Sequence, residues 1–332
     1  MKVKIAIIGT GRIGRLHLKN IAALRELYEI VAIADPYDKN LAALATEYNV
    51  PFYTTDYKEI FTQPPVEAIV IASSTDTHAE IILAGVAHSK VIFCEKPIDT
   101  SLERIKEVLK AVEDAGALLQ IGFNRRFDHN FRKVQETVVA GNIGQPHIIK
   151  ITSRDPEPPS ISYIKISGGL FNDMMIHDFD MARYLSGSEV VEVYANGAVL
   201  VDPAIGEAGD IDTAIVTLKF ANGALGVIDN SRQAKYGYDQ RVEVFGSKGQ
   251  VVAYNDHKTN VEIDTVEGGL KDKIPFFFLD RYEQAYRDQF KEFYQVVINK
   301  TAPIVDGQDG LKSVVIAKAA LRSLQEGKPV EL

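Results

Sequence analysis

Lys4-Ile5-Ala6-Ile7-Ile8-Gly9-Thr10-Gly11-Arg12-Ile13-Gly14 is the stretch that decides the fold. A short apolar run, residues 4–8, feeds a glycine turn, and a helical pattern opens inside that turn and continues over roughly residues 13–27. The next apolar run, residues 29–34, ends at Asp35, 21 residues beyond Gly14. A strand, Gly-x-Gly-x-x-Gly, a helix and an acid about 20 residues on make up the dinucleotide-binding pattern. Gly9 permits the tight turn, Gly11 lets backbone approach a pyrophosphate, and Gly14 lets helix and strand pack closely. The helix N-terminus offers N–H groups to the phosphates, so Gly9, Gly11, Arg12, Ile13 and Gly14 are expected at the cofactor. Asp35 can bond both ribose hydroxyls of NAD and repels a 2′-phosphate, although an Asp at a strand end also serves simply as a helix cap.

Outward from this turn, strand and helix signals alternate. Helical patterns at residues 39–48, 77–87 and 102–115 separate apolar runs at 68–72, 90–94 and 118–123. Such βαβ units predict a doubly wound parallel sheet, a Rossmann-type α/β domain over residues 1–123. After a helix near 131–140 and the breaker Gly141-Asn142-Ile143-Gly144-Gln145-Pro146, strand runs follow at 147–153, 190–199, 213–220, 224–230, 240–245 and 250–254. Helices return at about 281–299 and 310–325. Residues 124–332 therefore read as an α+β domain with a large, mostly antiparallel open sheet. The Pro-rich stretch 155–160 reads as a loop.

The chain has 332 residues, a net charge of −8 and one cysteine, Cys94. This charge argues against broad contact with nucleic acid or an anionic membrane, and no intramolecular disulfide is possible. With no long apolar segment, we expect a cytoplasmic protein.

Three further groups carry chemistry. Ser73, Ser74, Thr75 and His78 follow a strand's C-terminal end, where ligands of doubly wound sheets bind; His78 equally fits an ordinary helix surface. Glu95-Lys96-Pro97 ends another strand, where a lysine can stabilise a developing alkoxide, or be a plain surface residue before a turn. In Gly168-Gly169-Leu170-Phe171-Asn172-Asp173-Met174-Met175-Ile176-His177-Asp178-Phe179-Asp180, one helix places Asp173, His177 and Asp180 on a common face. A histidine near neutral pKa suits removal of a hydroxyl proton, and a carboxylate one turn away can orient it or bind substrate. The same spacing suits a metal or a structural histidine, but a nicotinamide dehydrogenase of this layout needs no metal.

Together these elements resemble the glucose–fructose oxidoreductase, inositol dehydrogenase and rhizopine-catabolism (Gfo/Idh/MocA) family over essentially the whole chain. The resemblance implies NAD-dependent oxidation of a ring hydroxyl of a cyclic polyol, myo-inositol to its 2-keto product. It leaves open scyllo-inositol or another sugar or anhydrosugar and, in another class, a non-catalytic NAD-binding regulator. It implies Lys96, Asp173 and His177 as the catalytic trio, with Lys96, Arg125, Asp173, His177, Asp180 and Tyr236 or Tyr238 around the polyol. Glu95, Lys96 and Asn124 are implied on the cofactor side. Where inositol dehydrogenases carry a histidine this chain has Ser153 or Arg154, which leaves the stereoisomer open. A homotetramer is also implied, because an open sheet needs its bare face covered.

Overall fold

The computed structural model describes residues 1–332 and divides into two compact units, residues 1–124 with 285–312 and residues 125–284 with 313–332. The first unit begins β1 (Val3–Ile8), α1 (Arg12–Ala23), β2 (Tyr28–Ala34), α2 (Leu41–Glu47) and β3 (Phe52–Thr54). It continues β4 (Ala68–Ile71), α3 (Thr75–Ala87), β5 (Val91–Cys94), α4 (Leu102–Asp114) and β6 (Leu119–Ile121). The strands form a sheet of order β3-β2-β1-β4-β5-β6 in which every pair is parallel. β4 and β5 are buried at every position, as strands covered on both faces must be, which explains their unbroken apolar runs. The strand order reverses between β1 and β4, and the crevice beyond their C-terminal ends is where such sheets bind ligands.

The second stretch of chain runs α5 (His129–Val139), β7 (Pro146–Arg154), α6 (Ile161–Ser167), α7 (Gly169–Asp173), α8 (Ile176–Ser186), β8 (Val190–Ala198) and α9 (Pro203–Glu207). Then come β9 (Thr213–Phe220), β10 (Leu225–Ser231), β11 (Asp239–Gly246), β12 (Gly249–Ala253) and the hairpin β13 (Glu262–Thr265) with β14 (Gly268–Lys271). The chain ends α10 (Phe278–Arg281), α11 (Glu283–Asn299), α12 (Gly307–Glu326) and β15 (Val330–Glu331). Seven strands form a sheet of order β12-β11-β7-β10-β9-β8-β15, antiparallel except for the parallel pair β7–β10. β9 alternates buried and exposed residues throughout, the period of a sheet with one covered face. α5 and α8 pack against β7, β11 and β12 on the covered side.

Two expectations are corrected. The pattern predicts one helix carrying Asp173, His177 and Asp180, but the chain breaks at Met174–Met175. The Leu170 carbonyl accepts from both the Met174 N–H (3.0 Å) and the Met175 N–H (2.9 Å), and this five-residue bond puts the ladder out of α register. Asp173 therefore ends α7, and His177 is the second residue of α8.

The second difference concerns residues 285–312, which fold with the first unit although a boundary at 123 assigns them to the second. Phe290, Phe293, Val296 and Val297 of α11 are buried in one apolar cluster with Val3, Ile5, Tyr28 and Phe93. The Tyr28 hydroxyl donates to the Phe290 carbonyl at 2.6 Å, and the Ile121 N–H to the Val305 carbonyl at 3.0 Å. No helix is long and apolar enough to cross a membrane.

In the second unit Asp128 caps α5, accepting from the N–H groups of Asn130 (3.2 Å) and Phe131 (3.1 Å). It also pairs through both oxygens with the buried Arg281, whose other acidic neighbour, Asp256, is more exposed and 3.5 Å away. Asp128→Ala removes a cap and strands a buried guanidinium, so it should lower unfolding free energy by about 3–5 kcal/mol. Urea unfolding checks this; a loss below about 1 kcal/mol would show the pair behaves like a surface one.

Candidate active site

The glycine turn is built by backbone touching backbone. Gly9 has φ +93°, and a Cβ there would lie 2.4 Å from the Ser73 nitrogen; a Cβ at Gly14 would lie 1.9 Å from the Gly9 carbonyl oxygen. A Cβ at Gly11 would meet nothing within 4 Å. Two glycines thus close the turn on the sheet, while the third faces open space at the start of α1, where Arg12 and Ile13 form the first turn. No side chain caps that helix at Gly11, so its first turn presents backbone N–H groups to an anion.

Asp35, just past β2, accepts from the Thr10 N–H (2.7 Å) and hydroxyl (3.2 Å) through one oxygen, and from the Tyr37 (2.8 Å) and Asp38 (3.0 Å) N–H groups through the other. These donors fix a negative charge where a ribose diol can donate and a phosphate is repelled. Asn124, 3% exposed, has an amide nitrogen with no hydrogen-bond acceptor in the protein. Bare cradle, fixed acid and unmet donor all fit a dinucleotide.

Ser73, Ser74 and Thr75 form the turn from β4 into α3, where the Ser73 hydroxyl pairs with that of Thr77 (2.7 Å). His78 departs from the helix-surface reading. It is 1% exposed, and its ring nitrogens face the carbonyls of Pro97 (2.8 Å) and Ser73 (3.1 Å). Lys96 is part-buried beyond the end of β5, and the Lys96–Pro97 peptide is cis. Glu95, expected at the cofactor, turns its carboxylate to His17 Nε2 at 2.7 Å.

The second unit gathers charge. Asp173 accepts from the Tyr163 hydroxyl at 2.8 Å and, at 3.5 Å, from Arg232, while His177 is part-buried at the start of α8. Arg125 is buried and paired with Asp178, which also accepts from Asn230 at 3.0 Å; Arg125 further donates to the hydroxyls of Ser153 (3.3 Å) and Tyr238 (3.4 Å). Tyr238 therefore belongs to this cluster, whereas Tyr236 is 57% exposed and bonded to Asp239 and Arg154. Asp180, expected at the polyol, is 1% exposed and held by a two-point ion pair with Arg126 (2.8 and 2.6 Å), a structural use of the carboxylate.

Arg232, Asp178 and Asp155 escape sequence reasoning. Arg232 is 1% exposed, its Nε and Nη2 make no hydrogen bond, and Asp173 and Asp210 lie at 3.5 and 3.6 Å. Its signal was close to the one that singled out Lys96, a cation just past a strand's C-terminal end, one residue after β10 for Arg232 and two after β5 for Lys96. Burial raises Asp155 to about 6, with Arg232 and Arg125 opposing and Asp173 and Asp178 reinforcing. No group of three or more His, Cys, Asp or Glu side chains is placed to hold a metal ion.

Comparison with known proteins matches each half of the chain. Residues 3–123 match an oxidoreductase family with an NAD-binding Rossmann fold, and residues 131–252 match the GFO/IDH/MocA C-terminal domain. An uncharacterized oxidoreductase of Bacillus subtilis, YrbE, is 50% identical over 100% of this chain and 97% of its own length. Myo-inositol 2-dehydrogenase of Thermotoga maritima is 45% identical over 99% of this chain and 98% of its own. Among solved structures, a putative myo-inositol dehydrogenase from Sinorhizobium meliloti is 42% identical, with a TM-score of 0.95 and 99% of both chains covered.

Asp155 makes stability depend on pH. Its pKa is 3.8 ordinarily and about 6 in the folded chain, so the folded state holds the proton more tightly between those values. The cost of ionising it is absent below the lower value and fully present above the higher one. Asp155→Asn should therefore stabilise the protein at pH 8 by up to about 3 kcal/mol, with the gain gone by about pH 4. Urea unfolding at pH 4, 6 and 8 tests this; a gain independent of pH would show that the carboxyl does not hold a proton.

Proposed function

The chain belongs to the Gfo/Idh/MocA family of NAD-binding oxidoreductases, and from that premise we propose that it oxidises myo-inositol to 2-keto-myo-inositol (scyllo-inosose), forming NADH. One observation carries the reading: part-exposed Asp173 lies 3.5 Å from buried Arg232, two of whose nitrogens make no hydrogen bond, and part-exposed His177 opens the next helix, so the second unit supplies an acid, an imidazole and unmet N–H donors. That mixture suits a small molecule rich in hydroxyls, each both donor and acceptor. The full-length likeness to a relative named myo-inositol 2-dehydrogenase supports the choice of polyol.

NAD supplies the hydride acceptor when bound. The turn at Gly9–Gly14 and Asp35 bind and orient the dinucleotide. His177 takes the hydroxyl proton on a ring nitrogen as the carbonyl forms, with Asp173 as the carboxylate that orients the ring. Lys96, as an ammonium, stabilises negative charge on the reacting oxygen. Arg232 and Tyr163 hold Asp173 by its two oxygens, which fixes it in direction.

The open sheet supports self-assembly as a homotetramer. Phe245, Ile148 and Leu225 are cross-strand neighbours on β11, β7 and β10, forming an apolar row exposed by 42, 38 and 53%.

Mixing the protein with NAD and each inositol isomer should raise NADH absorbance, with myo-inositol giving the highest kcat/KM. Lys96→Ala should lower turnover more than about tenfold, and His177→Gln about 10²–10⁴-fold. Tight NAD binding without reduction by any isomer would instead mark a regulator. In light scattering the parent should run as a tetramer and Ile148→Asp/Leu225→Arg as a smaller species; an unchanged mass would show that this face is not the interface.

A further inference from the structure

Two histidines of the first unit are fully buried, at 0 and 1% exposure, and the chemistry proposed above uses neither. His17 lies in the second turn of α1, with its Nε2 2.7 Å from a Glu95 oxygen. Phe93 and Phe290 enclose its ring in T-shaped contacts at 5.5 and 5.0 Å between centroids, and Nδ1 makes no hydrogen bond. An N–H buried without an acceptor costs more than a bare lone pair among aromatic rings, so the ring proton sits on Nε2 and is donated to Glu95. His78 lies in the first turn of α3. Burial lowers its pKa, against the hydrogen bonds to the Pro97 and Ser73 carbonyls and the pull of Glu95 and Asp76, which favours the neutral ring with one proton. The shorter contact takes it, Nδ1 to the Pro97 carbonyl at 2.8 Å.

Lys96 thus stands between two residues, each pinned by a different imidazole. The pins come from α1 and α3, the helices that open from the turns at Gly9–Gly14 and Ser73–Thr75. The Glu95 N–H donates to the Ile71 carbonyl at 2.9 Å, and its carboxylate lies 2.9 Å from where a Cβ on Gly122 would be. Packing therefore confines the acid, while the histidine fixes its direction.

We propose that His17 and His78 are positioning residues for Lys96: they hold both flanks of its corner and tie it to the two turns that receive the dinucleotide. This rests on the role given to Lys96 above. Loss of either donor frees one flank, and a flexible lysine magnifies a small movement at its base. Misplacement of about 1 Å at a reacting centre costs about 100-fold in rate.

Because the two histidines donate through different ring nitrogens, they are rescued by different amides. A glutamine nitrogen reaches where Nε2 stood and an asparagine nitrogen where Nδ1 stood. His17→Gln and His78→Asn should keep kcat within about tenfold of the parent. His17→Asn and His78→Gln should lose about 100-fold in kcat, with the Kd for NAD and the KM for the polyol within a few-fold of the parent. A space-filling role does not produce this crossed pattern.

Hydrogen exchange of a peptide spanning residues 93–99, with and without NAD, probes the clamp independently of turnover. The matched variants should stay as protected as the parent and the mismatched ones exchange faster, while β1 and β4 are unchanged. A crossed exchange pattern in a protein that oxidises no inositol would uphold the clamp and remove the role of Lys96. Equal behaviour of matched and mismatched variants overturns the proposal, as does failure of both matched variants to fold.

Discussion

Helix α1 sits so close to the sheet that the Gly9 carbonyl occupies the space where residue 14 would carry a side chain. Nothing larger than hydrogen fits there, nor at Gly9 against Ser73. The rest of the first unit follows from that approach. It aims the start of the helix at the crevice between β1 and β4, and it carries His17 inward until its imidazole meets Glu95. A glycine motif usually explained by the phosphates it admits here also sets the distance over which a lysine corner is held.

The second unit solves a different problem, that of keeping charge inside protein. Arg125 with Asp178, Arg126 with Asp180 and Arg281 with Asp128 are ion pairs whose members are almost wholly buried. Such pairs contribute little net stability, since desolvation offsets most of the attraction, but losing one partner is costly. Their value is directional: each fixes a side chain that would otherwise be mobile. Arg232 differs, because its acidic neighbours stand at 3.5 and 3.6 Å and two of its nitrogens make no hydrogen bond within the protein.

What could be read from the sequence was what is local. The alternation of β9 repeats every two residues, and the glycine turn and Asp35 belong to one strand–helix–strand unit of fixed spacing, so spacing alone revealed them. The helix break at Met174–Met175 did not show, because the preceding turn is anchored by Asp210, which accepts from the Leu170 N–H from 40 residues away. His17 meets its acid across 78 residues, and Asp180 finds Arg126 across 54, so neither partnership leaves a periodic trace. The allegiance of α11 was hidden for the same reason: an apolar stripe announces that a helix is buried, not which core it completes.

That allegiance bears on how the protein is made. A chain emerging from the ribosome presents all six parallel strands early, yet Phe290, Phe293 and Val297 lie some 170 residues beyond β6. Until they arrive, Tyr28 and Phe93 have an open apolar flank, and vectorial synthesis cannot finish the first half before the second is nearly complete. The nascent strands are therefore exposed for most of translation, the interval in which a holding chaperone has most to bind.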